Sequence, residues 1–193
     1  MRNGNVLVLA SVAVLGMAVI ASGRQPMLTS LQYQHSAVEE QKHEAGHASQ
    51  QDSHHTGVNQ RGDRVMGFEH TRTTHHFRLN AHGGVIDVSV NDPNDSASRE
   101  QIRTHLKHIA QKFAQGDFTA PMLIHAQTPP GVSEMKRLKA DIKYEFESTE
   151  RGALVRITTT SAKAIEAVHE FLLFQIKDHQ TGDSGEIEKP SSF

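Results

Sequence analysis

The chain reads as an α+β domain: two β-β-α units forming one antiparallel sheet with helices on one face. Three observations predict it. Apolar residues alternate at a spacing of two over residues 74–90, and again over residues 142–157. Each alternating stretch is split by a turn that contains glycine. Each is followed by a segment whose apolar residues recur every three or four positions, the period of a helix packed on one side.

In the first unit, Thr74–Leu79 places His75, Phe77 and Leu79 on one face and His76 and Arg78 on the other. His82-Gly83-Gly84 makes the turn. On the return strand Ile86, Val88 and Val90 face inward, and Asp87 and Ser89 outward. Asn91-Asp92-Pro93-Asn94-Asp95 breaks the strand, and Asp95 or Ser96 caps a helix with the stripe Ile102, Leu106, Ile109, Ala110 and Phe113. Gln115-Gly116 ends it. Ala120–Ala126 follows as a short strand, then Pro129-Pro130-Gly131 forces a turn, and Ser133 caps a short helix through Met135 and Leu138.

The second unit repeats the pattern. Ile142, Tyr144 and Phe146 alternate, Glu150-Arg151-Gly152 turns, and Val155 and Ile157 alternate on the way back. Ser161 caps a helix with the stripe Ile165, Val168, Leu172, Leu173 and Ile176. At an offset of 63 the two helices superpose, Ile102 on Ile165 and Ile109 on Leu172. The ordered domain is expected over 66–183, with four main strands, two main helices and a second sheet face left open or covering a protein partner.

The amino terminus carries an export pattern. Arg2 precedes an uninterrupted small-apolar run, Val6–Ile20, and Val19-Ile20-Ala21 offers the small residues a signal peptidase reads. Residues 1–21 are thus a signal peptide, or an N-terminal anchor on the inner membrane; the run is shorter than the ~20 residues a spanning helix needs. Residues 22–65 are polar and rich in Gln, His and Ser, the composition of a disordered His-rich tether. Residues 184–193 read as a disordered tail. A periplasmic or otherwise exported location follows.

Composition narrows the chemistry. Cysteine is absent, so disulfides, thiolate metal sites and a Cys nucleophile are excluded. A net charge of −2 provides no basic field for nucleic acid. The 14 histidines stand out, five of them before Gly67. Imidazole without thiolate suits copper or zinc outside the cytoplasm. Met122 lies three residues before His125, and His105 and His108 share a helix face at i, i+3. The candidate metal ligands are therefore His125, Met122, His75, His76, His105 and His108. His43-Glu44-Ala45-Gly46-His47 matches H-E-x-x-H, in which two histidines one helical turn apart bind zinc and the Glu acts as general base. Its flanks are polar and give such a helix no apolar face, and no ATP-binding loop accompanies it.

Two functional classes emerge. The first is an exported binding or accessory protein for a metal ion or small ligand. The alternative is a small periplasmic enzyme with a His/Asp acid–base site, for which Asp117, beside a His-rich loop, is the carboxylate. There is no G-x-S-x-G and no P-loop.

Thr73-Thr74-His75-His76-Phe77, Gly116-Asp117-Phe118 with Pro121-Met122 and His125, Pro129-Pro130-Gly131-Val132, and His179-Gln180-Thr181-Gly182-Asp183 resemble a family of small exported bacterial proteins. The resemblance spans about 66–183 and implies no mechanism. Some members carry the name aspartate carbamoyltransferase. Those enzymes hold carbamoyl phosphate with Ser-Thr-Arg-Thr at a helix start; Ser96-Ala97-Ser98-Arg99 departs from it at three positions.

Overall fold

The computed structural model describes residues 53–188, all within one compact unit, Glu44–Phe193. The expected signal segment, most of the expected tether including His43–His47, and residues 189–193 lie outside the described residues. No helix among the described residues is long and apolar enough to cross a membrane.

The elements are helix α1 (residues 53–66), strands β1 (Thr73–Asn80) and β2 (Gly83–Val90), helices α2 (Ser96–Ala114), α3 (Thr119–His125) and α4 (Val132–Arg137), strands β3 (Lys143–Ser148) and β4 (Gly152–Thr158), helix α5 (Ala162–His179) and a short strand β5 (Ile187–Glu188). The fold is α+β. The sheet runs β3-β4-β2-β1-β5, antiparallel throughout except that β5 lies parallel to β1.

Both expected hairpins form, with the expected residues on each face. Phe77, Leu79, Ile86, Val88, Val90, Ala153, Val155 and Ile157 bury one face of the sheet. The turn between β1 and β2 is Ala81-His82, because Gly83 and Gly84 already pair within β2. At Gly84 a Cβ would come within 2.3 Å of Leu172 Cδ1, so the missing side chain lets α5 press on the sheet. The opposite face bears the ion pairs Arg78–Asp87 and Arg156–Glu147.

The two β-β-α units exchange their helices. α2 lies over β3 and β4, the hairpin that follows it, and α5 lies over β1 and β2. Each helix thus completes the other unit's core. Asp95 caps α2 as expected, its side chain accepting from the Ser98 N–H. The α2 stripe is buried as read from sequence.

Several local expectations are corrected. Residues 120–126 are not a strand but most of α3. Asp117 accepts from Thr119 N and Oγ1, which starts that helix, and Pro121 falls in its first turn, where its missing N–H costs nothing. Ser133 does not cap α4. Gly131 occupies the N-cap at φ 76°, where a Cβ would lie 2.0 Å from the Ala167 carbonyl oxygen. Ser161 begins α5, but its side chain makes no capping bond. The buried face of α5 is Ala164, Ala167, Val168, Phe171, Leu172 and Gln175; Leu173 is 42% exposed. The roll follows Phe171, which packs edge-on against Phe113 and Phe118 at 5.9 and 6.1 Å.

Disorder is also corrected at both margins. Residues 53–65, read as tether, belong to α1. Fully buried Val58, a bond from Arg61 Nε to the Ile124 carbonyl at 2.7 Å, and a His54–Asp178 contact at 2.9 Å dock that helix. Residues 184–188 continue into β5, and Asp183 anchors the approach by accepting from His76 Nδ1 at 2.7 Å and from the Phe77 N–H at 2.9 Å.

Candidate functional site

Five elements bring histidines to one side of the sheet. β1 supplies His75, α2 supplies His105, α3 ends on His125, α5 supplies His179, and α1 contributes His54 and His55. Phe68, in the segment after α1, ties them together. Its ring stacks on His75 at 6.1 Å and meets His105 edge-on at 5.7 Å. His75 stacks on His179 at 5.8 Å, and His125 meets His179 edge-on at 5.0 Å.

A chamber of about 60 Å³ lies inside this cluster. Its walls are apolar, including Ile109, Phe113 and Phe171; its polar lining is His75, His105, His125 and Gln175. That volume corresponds to a handful of non-hydrogen atoms. His75 and Met66 also line a more polar cleft of about 200 Å³ with His55, His70 and His179. Met66 and His105 border an open groove of about 470 Å³ that carries His108. Met66 touches all three spaces.

Behind the chamber runs a hydrogen-bonded chain. His54 Nε2 donates to Asp178 Oδ1 at 2.9 Å, and His125 Nδ1 donates to Asp178 Oδ2 at 2.5 Å. His125 Nε2 in turn faces Gln175 Oε1 at 2.9 Å. Gln175 and Asp178 stand three apart on α5, one turn of the same helix face. Burial alone would raise the Asp178 carboxyl. The bonds and charges of His125 and His54 outweigh it and hold the group below the usual carboxylate range.

Three rings of the cluster, His75, His105 and His179, are kept neutral. Burial lowers His75 from 6.5 to about 4, helped by His105, His70 and His76 and opposed by Asp63. Burial and neighbouring His108 bring His105 to about 4. Burial, His75 and His125 bring His179 to about 3. Three buried side-chain polar atoms among the described residues have no hydrogen-bond partner: His75 Nε2, Gln175 Nε2 and the Tyr144 hydroxyl. Two of the three belong to residues that line the chamber.

Of the six residues read as metal ligands, the structure gathers His75, His105 and His125. His76 projects from the other face of β1 to Asp183, His108 is exposed, and the Met122 sulfur lies 3.8 Å from Lys136 Nζ. No group of three or more His, Asp or Glu among the described residues is placed to hold a metal ion. Asp117 does not orient an imidazole. Its bonds to Thr119 and its pairing with Lys112, 3.2 Å away, hold its carboxyl far down. Asp178 is the carboxylate that holds a buried imidazole. Sequence reading missed Asp178, Gln175 and His179 as site residues. The available signal was Gln175, a polar residue four after Phe171 on an otherwise apolar face.

No family model, curated protein or solved structure matches this chain.

Proposed function

We propose that the protein is an exported binding module whose histidine-lined chamber takes a small, uncharged ligand. One observation carries the reading: His75 and Gln175, each with a buried side-chain nitrogen that has no partner within the protein, both line one apolar-walled cavity. A buried polar atom without a partner costs about 1–3 kcal/mol. A ligand that supplies the partner recovers that cost and buries its apolar body against Phe113 and Phe171. A ligand of about five non-hydrogen atoms gains at most roughly 7 kcal/mol, which corresponds to micromolar affinity or weaker.

Binding is favoured over catalysis by the lining itself. Among the described residues it contains no hydroxyl, amine or carboxylate to act as nucleophile. His125 and Asp178 make an acid–base couple, but both His125 nitrogens are engaged, by Asp178 and by Gln175. Export rests on the Arg2-to-Ala21 pattern.

Copper(I) is a second reading. It is favoured by the Met66 thioether, which lines the same chamber as two neutral imidazoles, His75 and His105. Here Met66 replaces Met122 as the soft donor. The test is thermal unfolding of the exported chain with a panel of small neutral molecules, with Cu⁺ and with Zn²⁺. Stabilisation by a neutral compound that disappears in His75→Ala supports the first reading. Stoichiometric stabilisation by metal alone, lost in the same variant, replaces it with the second. No stabilisation by any of them sinks both.

A further inference from the structure

We propose that the Met66 side chain is a movable partition: turned aside, it joins the apolar chamber to the polar cleft beside it, and the joined space takes a short amphipathic molecule, aliphatic at one end and polar at the other. The inference rests on the chamber being a binding site and adds how a ligand larger than the chamber is seated.

Of the residues that line the chamber, only Met66, His75, His105 and Ala120 are not buried, so these four build its rim. The two imidazoles are clamped by Phe68, itself buried, which stacks on His75 and meets His105 edge-on. Ala120 has no side-chain torsion to turn. Met66 is left, an unbranched thioether with three rotatable bonds. It ends α1. Gly62, one turn earlier, would bring a Cβ within 3.1 Å of the Met66 terminal methyl, so the glycine leaves that methyl its room. On the other side, nothing lies within 4 Å of where a Cβ on Gly67 would stand. The one flexible side chain of the rim therefore has space to move into.

Met66 also stands where the chamber, the cleft and the groove meet. The chamber alone has room for a handful of non-hydrogen atoms, so a longer ligand must extend past Met66. The cleft lies between α1 and the start of β1, whereas the groove is open, so more of a ligand is covered in the cleft. An aliphatic end in the chamber leaves water for apolar walls. A polar end in the cleft lies among side chains that can hydrogen-bond to it: His55, Asn59 and His70. The charge on these rings does not decide the fit, because a hydroxyl both donates and accepts and so pairs with imidazole in either state.

The experiment uses the full chain, with no metal added, and two probes. Dissolved xenon fits the chamber alone, and 3-methyl-1-butanol reaches past it. Methyl NMR tells the three spaces apart: of the three, Ile109 lines the chamber alone, Val58 the cleft alone and Thr104 the groove alone. Xenon should shift Ile109 and leave Val58 in place. The alcohol should shift Ile109 and Val58 together and move the Met66 methyl carbon, which reports its torsion. Met66→Ala should let the alcohol exchange at least about tenfold faster. Met66→Leu, close in volume but branched and stiffer, should slow it. An unchanged exchange rate in both variants overturns the partition and leaves the chamber standing. Alcohol shifts at Ile109 and Thr104 with Val58 unmoved overturn the joining of chamber and cleft. Exclusion of xenon and alcohol from the wild type and Met66→Ala alike overturns the chamber as a site, and the inference with it.

Discussion

Lowering the pH should destabilise this fold well before its carboxylates titrate. His75, His105 and His179 are held neutral at about 4, about 4 and about 3, against 6.5 in an unfolded chain. Between roughly pH 6.5 and pH 4 the unfolded state binds protons at these three positions and the native state does not. Stability therefore rises with pH through that window and is lost as pH falls. From about pH 7 to about pH 5, linkage gives close to 2 kcal/mol for each fully buried ring. The three rings border clefts open to solvent, so about 1 kcal/mol each, or roughly 3 kcal/mol together, is the working magnitude. Urea unfolding at the two pH values should show the midpoint falling by ~1–2 M with an unchanged slope. His179 stacks on His75 and Phe77, so His179→Phe keeps a flat ring in the stack and should remove about a third of the pH dependence. Stability that is flat between these pH values, or a full pH dependence in His179→Phe, would refute the reasoning.

Further outcomes follow from other contacts. Gly131→Ala places a Cβ against the Ala167 carbonyl at a positive φ, and should cost ~2–4 kcal/mol in chemical denaturation. His125→Ala strips Asp178 and Gln175 of their buried partner and should cost ~3–5 kcal/mol; unchanged stability would mean that the His125–Asp178 pair is dispensable. If residues 1–21 are a cleaved signal, intact-mass measurement of protein recovered from the periplasm should show a chain beginning at Ser22. Met1 retained in a cytosolic fraction would contradict export.

Much of the scaffold was legible because it is written in local periodicity. The alternation of Phe77, Leu79, Ile86 and Val88, and the α2 stripe through Phe113, need no tertiary knowledge to read. What escaped depended on distant partners. Residues 119–125 are as apolar as a strand; only the Asp117 bonds to Thr119 and the position of Pro121 mark them as helix. Helix α1 buries little beyond Val58, and its order comes from Asp178 and the Ile124 carbonyl, more than 60 residues away. The N-cap at Gly131 exists because the backbone of α5 approaches there. In the site, period two already placed His75 and His76 on opposite faces of β1, and the structure keeps them apart. The convergence of His75, His105 and His125 required knowing that α2 and α5 each cover the other unit's hairpin. Asp178 was not legible, since its partner lies 53 residues away on an element read as a strand.

The most direct measurement is a high-resolution crystal structure under xenon pressure. The account predicts a xenon peak in the chamber bounded by His75, Phe113, Phe171 and Gln175, with the protein around it unchanged. A chamber that admits no xenon and holds discrete waters hydrogen-bonded to His75 Nε2 and the Gln175 amide would contradict it. Those two polar atoms would then be satisfied by solvent, and the cavity would be part of the folded core.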